Sequence, residues 1–370
     1  MKAIILVGGE GLRLRPLTCK VPKPMVPVAN KPFLEHMVAN LKRHNIDEII
    51  LAICYLPDRI QHHFGDGSGF GVSLTYAFEE SPLGTGGAVK NAEPFLQDTF
   101  VVLNGDIFND IDLTDMIEFH RHHQATATIA LTPVSDPTAY GVVETDARNC
   151  VKCFIEKPSR ERVTSNLINA GTYVLEPTVL GLIPSGVHSM LERGLFPTLV
   201  EQKKPFFGYR SNAYWIDIGT PSDYLKLHHD VLMGKAMARF PGKSMADDVW
   251  VEDGCEIHQS AKIIGPVVIG RGCTIERDVR ISGPAVLGDG CSIGQGSTID
   301  EAVLWRDVRL GTDATVRSSV VGNNSDIGDG TWIADGSIIG DSTTIGSSNR
   351  LEHGIRIWPE STIADNAISF

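Results

Sequence analysis

The first residues able to do chemistry follow the apolar run at positions 1–7. Gly8, Gly9 and Gly11 come directly after it, and glycines let backbone N–H groups approach a phosphate closely and form an anion-binding concavity. The segment that follows, up to Leu34, contains no acidic residue and five basic ones: Arg13, Arg15, Lys20, Lys23 and Lys31. Because the whole chain has a net charge of -12, this local positive charge predicts a triphosphate site. The Walker spacing Gly-x-x-x-x-Gly-Lys-Ser/Thr is absent.

The elements that must position this loop alternate between short apolar runs and helical patterns up to about residue 235. The apolar runs predict four strands: Lys2–Val7, Glu48–Cys54, Val72–Ala77 and Phe100–Leu103. The spacing of apolar residues between them predicts three helices: Phe33–His44, Gly86–Leu96 and Leu113–Gln124. This alternation is typical of βαβ units and predicts a Rossmann-like α/β domain with a mixed, mostly parallel sheet. Ligands bind beyond the carboxyl ends of such strands, so we expect the site after Val7 and Leu103.

From residue 250 onward the helical pattern gives way to aliphatic residues that recur every six positions. Eight of them run from Ile257 to Ile299, a one-residue slip precedes Leu304, and a second slip precedes the final run from Val321 to Ile363. A period of six matches neither a helix nor an ordinary strand. It is typical of a solenoid whose flat faces each take one hexad. The pattern predicts a left-handed parallel β-helix with three hexads per coil and about six coils.

Charge and composition exclude several classes of protein. The net charge of -12 argues against nonspecific nucleic-acid binding, which needs a basic face. No apolar run is long enough to span a bilayer, and the opening run is too short for a signal peptide. We therefore expect a cytoplasmic protein with neither nucleic acid nor membrane as a partner, and the seven cysteines, an odd number, fit a reducing compartment. We interpret Cys150 and Cys153 as structural strand residues and the histidines of positions 120–123 as a solvated helix end.

The glycine-rich segment is far more specific than its glycines alone. Residues 8–18 and Pro22–Pro27 closely resemble the signature of the nucleoside-diphosphate-sugar pyrophosphorylases, and among them the mannose-1-phosphate guanylyltransferases. One departure is Leu12, where members of that family usually have Thr. Further motifs that resemble the family follow in order: Pro82–Ala88, Leu103–Asp106, Tyr140–Val143, Phe154–Pro158, Asn169–Tyr173 and Tyr214–Thr220.

The resemblance implies in-line attack by a sugar-phosphate oxygen on the α-phosphorus of a nucleoside triphosphate, with no covalent enzyme intermediate. Chemistry of this kind asks mainly for positioning and charge neutralisation. By resemblance, Arg13 and Lys23 hold the triphosphate and stabilise charge as pyrophosphate leaves. Asp106 and Asp217 resemble the pair that holds Mg²⁺, a hard cation that prefers carboxylates, substrate oxygens and water.

The same resemblance implies the substrate contacts. Lys157 matches the lysine that grips the sugar phosphate, while Gly141, Glu156 and Asn169 match positions around the sugar hydroxyls. Gly84 lies in the loop that faces the base, and Glu79 or Glu80, just before that loop, could accept from guanine N1–H and N2–H₂. The expected catalytic residues are Arg13, Lys23, Asp106 and Lys157. The expected nucleotide-binding residues are Leu6, Gly8, Gly9, Gly11, Arg13, Lys23, Glu80, Gly84, Thr85 and Asn104.

Several alternatives stay open at this point. The run Asn166–Gly171 favours GTP and mannose 1-phosphate, but the ring N–H of uracil or thymine could use the same carboxylate. Glucose 1-phosphate with UTP, dTTP or ATP is therefore the alternative substrate set. Outside this class, many hexapeptide β-helices are acyltransferases with a histidine base, yet this helix has only His258 and His353. A non-catalytic regulatory homologue is a further alternative, although none of the basic or metal-binding residues is missing.

We expect a nucleotidyltransferase domain over residues 1–235, a linker over 236–250 and the β-helix over 251–370. Because every matched catalytic position precedes residue 221, we expect the β-helix to serve assembly and stability with no chemistry of its own. A chain ending near residue 240 should then keep measurable transferase activity. A solenoid end exposes apolar surface and open backbone groups and must be covered, which predicts a homo-oligomer.

Overall fold

The structure is a computed structural model that describes residues 1–238, 240, 242–246 and 248–369. Up to residue 217 it contains thirteen strands: β1 (Lys2–Leu6), β2 (Pro27–Val28), β3 (Lys31–Pro32), β4 (Glu48–Ile53), β5 (Ser73–Phe78), β6 (Phe100–Asn104), β7 (Ile107–Asn109), β8 (Ala127–Pro133), β9 (Gly141–Thr145), β10 (Val151–Glu156), β11 (Leu167–Leu175), β12 (Phe206–Arg210) and β13 (Trp215–Asp217). The helices are α1 (Phe33–Arg43), α2 (Pro57–Phe64), α3 (Gly84–Asn91), α4 (Leu113–His122), α5 (Phe196–Glu201) and α6 (Pro221–Leu232).

A nine-stranded sheet forms the centre of the first of two compact units, which comprises Met1–Glu10 and Leu34–Asp217. Seven strands follow the order β10-β9-β11-β6-β1-β4-β5, and β8 pairs with both β11 and β12. Strand β1 lies between β4 and β6 and is parallel to both, whereas β11 is antiparallel to β6. Residues Ala3, Ile4 and Ile5 of β1 are fully buried, as expected for a parallel strand covered on both faces. The predicted mixed α/β sheet is confirmed.

The predicted helices are also present, and one detail of α4 corrects the sequence interpretation. Asp112 caps the start of the helix, and its side chain accepts the Asp115 N–H at 3.0 Å. Near its other end His120 is not solvated but 2% exposed. Its Nδ1 lies 2.8 Å from the Thr128 hydroxyl and its Nε2 lies 3.1 Å from a carboxylate oxygen of Glu176. The first histidine of this cluster therefore belongs to the core, because two polar partners satisfy both ring nitrogens there.

Beyond α6 the chain forms one further hairpin strand and then the strands of a solenoid. They are β14 (Lys243–Ala246), β15 (Val249–Val251), β16 (Glu256–Ile257), β17 (Lys262–Ile264), β18 (Val267–Ile269), β19 (Thr274–Ile275), β20 (Arg280–Ser282), β21 (Ala285–Leu287), β22 (Ser292–Ile293), β23 (Thr298–Asp300), β24 (Val303–Leu304), β25 (Arg309–Leu310), β26 (Thr315–Arg317), β27 (Val320–Val321), β28 (Asp326–Ile327), β29 (Trp332–Ile333), β30 (Ile338–Ile339), β31 (Thr344–Ile345), β32 (Arg350–Leu351), β33 (Arg356–Ile357) and β34 (Thr362–Ile363).

From β15 onward every third strand pairs in parallel, which produces three sheets. The first face runs β15-β18-β21-β24-β27-β30-β33, the second starts at β16 and the third at β17. Most stacked partners are eighteen residues apart, as in the pair Ile275 and Ile293. At the two slips of the sequence period the step is seventeen, from Leu287 to Leu304 and from Leu304 to Val321. The predicted β-helix with three hexads per coil is confirmed, and each slip shortens one coil without moving an aliphatic residue out of the interior.

Side chains within the chain satisfy several open groups of the coils. Asp289 accepts the Arg271 N–H of the preceding coil at 2.9 Å, and Asp341 accepts that of Asn323 at 3.0 Å. At the last coil Asn349 donates to the Ala364 carbonyl at 2.9 Å and accepts the Ile368 N–H at 2.8 Å. Ile368 packs against the aliphatic interior. The chain's own C-terminal segment therefore contributes to covering that end of the solenoid.

The second compact unit joins two regions that are far apart in sequence, Gly11–Phe33 and Ile218–Phe370. We call the segment Gly11–Phe33, which we predict to bind phosphate, the basic loop. It belongs to the same compact unit as α6 and the β-helix. Strand β14 lies within the predicted linker, 236–250, and the first coil strand, β15, overlaps its end. The domain boundaries at residues 235 and 250 stay predictions. No helix among the described residues has the length and apolarity needed to cross a membrane.

Candidate active site

In the first unit, several predicted nucleotide-binding residues lie at the carboxyl end of β1. Leu6 is the last residue of β1 and pairs with Asn104, the last residue of β6. The Gly105 N–H donates to the Leu6 carbonyl at 2.9 Å, and a Cβ atom at Gly105 would lie only 2.4 Å from that oxygen. Gly9 is exposed, with open space where a side chain would be. The close approach of the ends of β1 and β6 thus requires glycine at position 105. The turn at Gly9 has free space around its backbone.

The loop before α3 distinguishes the two candidate acids of the base site. Glu79 is 9% exposed, and its Oε2 accepts the Leu83 N–H at 2.9 Å. A Cβ atom at Gly8 would lie 3.7 Å from the other oxygen, Oε1. Burial raises the pKa of Glu79, and the hydrogen bond from Leu83 opposes that rise. Glu80 is exposed to solvent. The structure therefore places Glu79 next to the glycine loop and leaves the predicted Glu80 at the surface.

Helix α3 begins at Gly84, and Thr85 in its first turn is already engaged with the protein. The Thr85 hydroxyl donates to Glu192 Oε2 at 2.6 Å and accepts the Leu191 N–H at 2.9 Å. A Cβ atom at Gly84 would lie 2.6 Å from the Ser189 carbonyl oxygen. This turn of α3 is therefore fixed against residues 189–192, and the Thr85 side chain serves that contact.

The two predicted metal-binding carboxylates lie at the ends of two neighbouring strands. Asp106 directly precedes β7, and Asp217 is the last residue of β13. These strands are antiparallel, with Ile107 opposite Asp217. Within the described ranges no cluster of three or more His, Cys, Asp and Glu side chains could hold a metal ion. Two carboxylates leave the other coordination positions to substrate oxygens and water, the mixture that suits a hard divalent cation. The donor set fits such an ion.

The predicted sugar-binding residues meet at the paired strands β9 and β10. Gly141 pairs with Glu156, and the next residue, Lys157, donates its N–H to the Tyr140 carbonyl at 3.0 Å. The Lys157 ammonium lies 3.9 Å from Glu156 Oε1, and its side chain is 63% exposed. Burial raises the pKa of Glu156, and the Glu192 carboxylate raises it further. An exposed cation and a desolvated carboxyl group thus stand side by side, as binding of a phosphate and a hydroxyl group would require.

A buried tyrosine connects a predicted nucleotide-binding residue, Asn104, with a predicted sugar-binding residue, Asn169. Asn169 donates to the Tyr173 hydroxyl at 2.9 Å and accepts the Gly171 N–H at 2.9 Å, while Asn104 also hydrogen-bonds that hydroxyl. Full burial raises the pKa of Tyr173 well above its ordinary value, so it stays a phenol. In the part of the chain that the structure describes, the buried Asn104 Oδ1 has no hydrogen-bond partner. An amide oxygen held in this way is available to a ligand.

In the second unit, the basic loop has a defined conformation. Gly11 adopts φ of 65°, and its carbonyl accepts the Thr18 hydroxyl at 2.7 Å. A Cβ atom at Gly11 would lie 3.0 Å from the Lys23 Cβ, so this turn packs on the buried Lys23. Leu12, at the position where the family usually has Thr, is 58% exposed. Arg13 is the next residue, and its guanidinium would lie within 3.0 Å of a Cβ atom at Gly219. Glycine is therefore required at 219 for the arginine to lie there.

Two residues of this region escaped the sequence analysis. Glu192 is buried, holds Thr85 and raises the pKa of Glu156. Tyr173 bridges Asn104 and Asn169. Tyr173 is the last residue of the motif Asn169–Tyr173, but the sequence analysis predicted no function for it. Glu192 lies outside all the motifs named above. No signal in the sequence singled out Glu192, which is followed directly by Arg193 in the segment Leu191–Leu199.

Both parts of the chain are similar to known proteins. Residues 2–234 match the nucleotidyl transferase family, and residues 246–367 match the EIF2B subunit epsilon LbH domain, a left-handed β-helix. The chain is 38% identical over 311 residues to a mannose-1-phosphate guanylyltransferase of Mycobacterium tuberculosis, covering 83% of this chain and 80% of the relative. It is 37% identical to a UTP–glucose-1-phosphate uridylyltransferase of Synechocystis, with 87% of each chain covered.

A similar solved structure is that of HddC from Yersinia pseudotuberculosis complexed with GMP-PN. It superposes with a TM-score of 0.53 at 32% identity, covering 61% of this chain and 97% of the other. The likeness thus extends over most of that protein and about three fifths of the chain described above.

Proposed function

This chain belongs to the nucleotidyl transferase family, and we propose that it transfers a nucleoside monophosphate from a nucleoside triphosphate to a sugar 1-phosphate. An oxygen of the sugar phosphate forms a bond to the α-phosphorus, and the bond from that phosphorus to the pyrophosphate oxygen breaks. The observation that carries the proposal is the pairing of β7 with β13, which brings Asp106 and Asp217 to neighbouring strands. The preferred substrates are GTP and mannose 1-phosphate, which would give GDP-mannose.

Asp106 and Asp217 are the residues that would hold Mg²⁺. The ion, when bound, would neutralise phosphate charge and help to orient the reacting oxygens. The contribution of the chain is to hold two carboxylates in place through the backbone pairing of Ile107 with Asp217. Two negative charges held together attract a divalent cation more strongly than either alone, because their fields add.

The residues of the glycine and basic loops are assigned to the triphosphate. Gly8, Gly9 and Gly11 would present backbone N–H groups, and Leu6 and Asn104 would line the floor at the strand ends. Arg13 supplies a planar two-pronged donor and Lys23 a point charge for the pyrophosphate group as it leaves. Both cations stabilise charge that grows on the leaving oxygens, so they favour the transition state over the bound substrate.

The base is assigned to the loop that precedes α3, with Gly84 and Thr85 fixing its backbone. Glu79 is the better candidate acid than Glu80, because its buried carboxylate has one oxygen toward Leu83 and the other toward Gly8. An ionised carboxylate accepts hydrogen bonds and donates none. Guanine presents N1–H and N2–H₂ side by side, so it matches such an acceptor, whereas adenine has no comparable donor pair.

The sugar 1-phosphate is assigned to the strands around β9–β10. The exposed Lys157 ammonium would bind the sugar phosphate and keep its attacking oxygen beside the anionic triphosphate. Glu156, Asn169 and Gly141 would surround the sugar hydroxyls, with Tyr173 holding the Asn169 amide in one orientation. Glu192 joins this set because its carboxylate both fixes Thr85 and lies close enough to raise the pKa of Glu156.

A second substrate pair, UTP with glucose 1-phosphate, is supported by the similarity to the Synechocystis uridylyltransferase. The N3–H of uracil can donate to Glu79 as guanine N1–H does, so the carboxylate alone does not exclude UTP. We further propose a homo-oligomer in the cytoplasm. Asn349 and Ile368 help to cover the last coil of the β-helix. We therefore expect a second copy to cover the first coil or one of the three sheets of the solenoid.

A matrix of pyrophosphate-release assays tests this function. Five nucleoside triphosphates are each combined with the 1-phosphates of mannose, glucose, galactose and N-acetylglucosamine in the presence of Mg²⁺. We expect the highest kcat/KM for GTP with mannose 1-phosphate. A higher value for UTP with glucose 1-phosphate would replace the preferred pair by the second one. No release with any pair would overturn the proposed reaction.

A further inference from the structure

The basic loop is hydrogen-bonded to the β-helix at several points within the second unit. Asn30 Nδ2, in the turn between β2 and β3, donates to the Leu287 carbonyl at 2.7 Å. Arg356 Nη1 donates to the Arg15 carbonyl at 3.1 Å. Lys20 forms an ion pair with Glu360. These contacts reach coils that are far apart along the solenoid, so the loop lies along the stack rather than touching one coil.

A buried relay forms a fourth connection. The indole Nε1 of Trp305 donates to the Tyr224 hydroxyl at 2.9 Å, and that hydroxyl donates in turn to the Pro27 carbonyl. Trp305 and Tyr224 are both almost wholly buried. Removing the Tyr224 hydroxyl would leave the buried Trp305 N–H without this acceptor, which costs more than the hydrogen bond contributes. Removing the Trp305 N–H would leave the hydroxyl with its bond to Pro27 alone.

The turn of the hairpin is also held from α6. His228 is buried, and its Nε2 accepts the Ala29 N–H at 3.3 Å, so the proton is on Nδ1, which donates to the Tyr224 carbonyl at 3.1 Å. Ala29 and Asn30 both have positive φ, 46° and 65°, a conformation that costs energy for residues other than glycine. Contacts with α6 and with the Leu287 strand therefore fix a turn that the hairpin alone would hold poorly.

Among the inner coils of the first face, Trp305 departs from the repeat. On the first face, the residue after the inward aliphatic one is Gly270, Gly288, Gly322 or Gly340 in four coils. The first and last coils have Glu252 and Trp358 there. A Cβ atom at Gly288 would lie 2.6 Å from the backbone of the next coil, which explains the preference for glycine. Trp305 occupies this position in the coil between Gly288 and Gly322. In this inner coil a tryptophan thus replaces glycine, and its side chain forms the relay to the basic loop with Tyr224.

We infer that Trp305, acting through Tyr224, is a positioning residue for the basic loop, so that the β-helix sets the geometry in which Lys23 meets the triphosphate. The connection from Pro27 to Lys23 is short and stiff, because the Val26 N–H donates to the Lys23 carbonyl at 3.2 Å in a single turn of 3₁₀ helix. A shift of the Pro27 carbonyl therefore moves the backbone of Lys23. This inference rests on the proposed function, which assigns Lys23 to the triphosphate.

The test compares Trp305→Phe and Tyr224→Phe in the full chain with Trp332→Phe as a matched control. Trp332 is also on the β-helix, but on the third face, where it lies between Arg317 and Arg350 at 5.7 Å from each guanidinium. We expect the KM for the triphosphate to rise about five- to thirtyfold in the two relay variants. The KM for the sugar 1-phosphate should change little, and the control should change neither.

A third variant avoids any dependence on the buried core. Asn30→Gly removes the donor to Leu287 but retains a residue that adopts positive φ freely, and we expect a rise of the triphosphate KM in the same direction. Equal rises for both substrates, or a lower Tm with unchanged KM values, would overturn the inference. Wild-type enzyme without pyrophosphate release would instead refute the proposed function, so the two failures are distinguishable.

Discussion

Replacing Glu79 by glutamine tests how the base is chosen. The Glu79 carboxylate accepts the Leu83 N–H through Oε2, and Oε1 is directed toward Gly8. A glutamine keeps one oxygen for Leu83, so the loop should stay folded, but it turns the other oxygen into an NH₂ donor. Guanine offers N1–H and N2–H₂, both donors, to that position. The substitution therefore places the glutamine NH₂ group against the N–H donors of guanine. It changes the side-chain volume very little.

The expected loss follows from the charge of the group. A hydrogen bond to a charged acceptor contributes about 1.5–3 kcal/mol, so kcat/KM for GTP should fall roughly ten- to a hundredfold. Uracil carries an oxygen acceptor beside its N3–H, and an amide can pair with both, so UTP use should fall less or rise. Burial raises the pKa of Glu79, and its protonated form loses an acceptor. In the wild type the KM for GTP should thus rise as pH falls through that pKa, and the glutamine variant should lack this rise.

The assay measures pyrophosphate release with GTP and with UTP from pH 5 to pH 8. Glu80→Gln is the matched control, because Glu80 is exposed and should show neither the loss nor the altered pH profile. A loss of GTP use in the Glu80 variant, with an unaffected Glu79 variant, would refute this reasoning and restore the assignment made from the sequence.

Three further perturbations test the remaining assignments. Asp106→Asn and Asp217→Asn should each abolish most turnover without a change in far-UV circular dichroism, because a ligand carboxylate contributes several kcal/mol at such sites; near-normal pyrophosphate release at saturating Mg²⁺ would contradict the metal assignment. Lys157→Ala should cost about 1.5–3 kcal/mol, roughly ten- to a hundredfold, in affinity for the sugar 1-phosphate, and calorimetry that showed a selective loss of triphosphate affinity would reverse the role of Lys157. Ile333→Asp should destabilise the β-helix by about 3–5 kcal/mol because Ile333 is fully buried, whereas Ile264→Asp, at a residue 64% exposed, should leave the Tm nearly unchanged.

The parts of this fold that follow from local pattern were predictable. Hydrophobic period located four strands of the sheet, β1, β4, β5 and β6, and the strands of the β-helix from β16 onward, because one aliphatic residue per hexad must point inward. It missed β15, which overlaps the predicted linker. The two slips, at Leu304 and Val321, appear in the structure as steps of seventeen residues. The pair Asp106 and Asp217 came instead from the family resemblance of the motifs that carry them, and its role in metal binding stays a prediction.

Contacts between distant residues were not predictable from one sequence. The burial of His120 depends on Glu176, fifty-six residues later, and nothing in the run of histidines indicates that partner. The preference for Glu79 over Glu80 depends on which side of a loop faces Gly8. The expectation that a chain ending near residue 240 keeps transferase activity stays a prediction, and the relay from Trp305 to Pro27 is what the sequence did not indicate. Such a chain would lack every coil contact of the basic loop.

The contact between Arg356 and Arg15 spans 341 residues, which bears on how the protein emerges from the ribosome. At about 5–20 residues per second, the basic loop would wait roughly 20–70 s after its own synthesis before its last partner on the β-helix exists. During that interval the apolar residues of the loop can pack only against segments that precede the β-helix in the sequence. They are then accessible to chaperones. The loop is translated near the start of the chain, but its contacts are completed only near the end of synthesis. A stalled or shortened chain would therefore contain the strands of the sheet and a basic loop without its contacts to the β-helix.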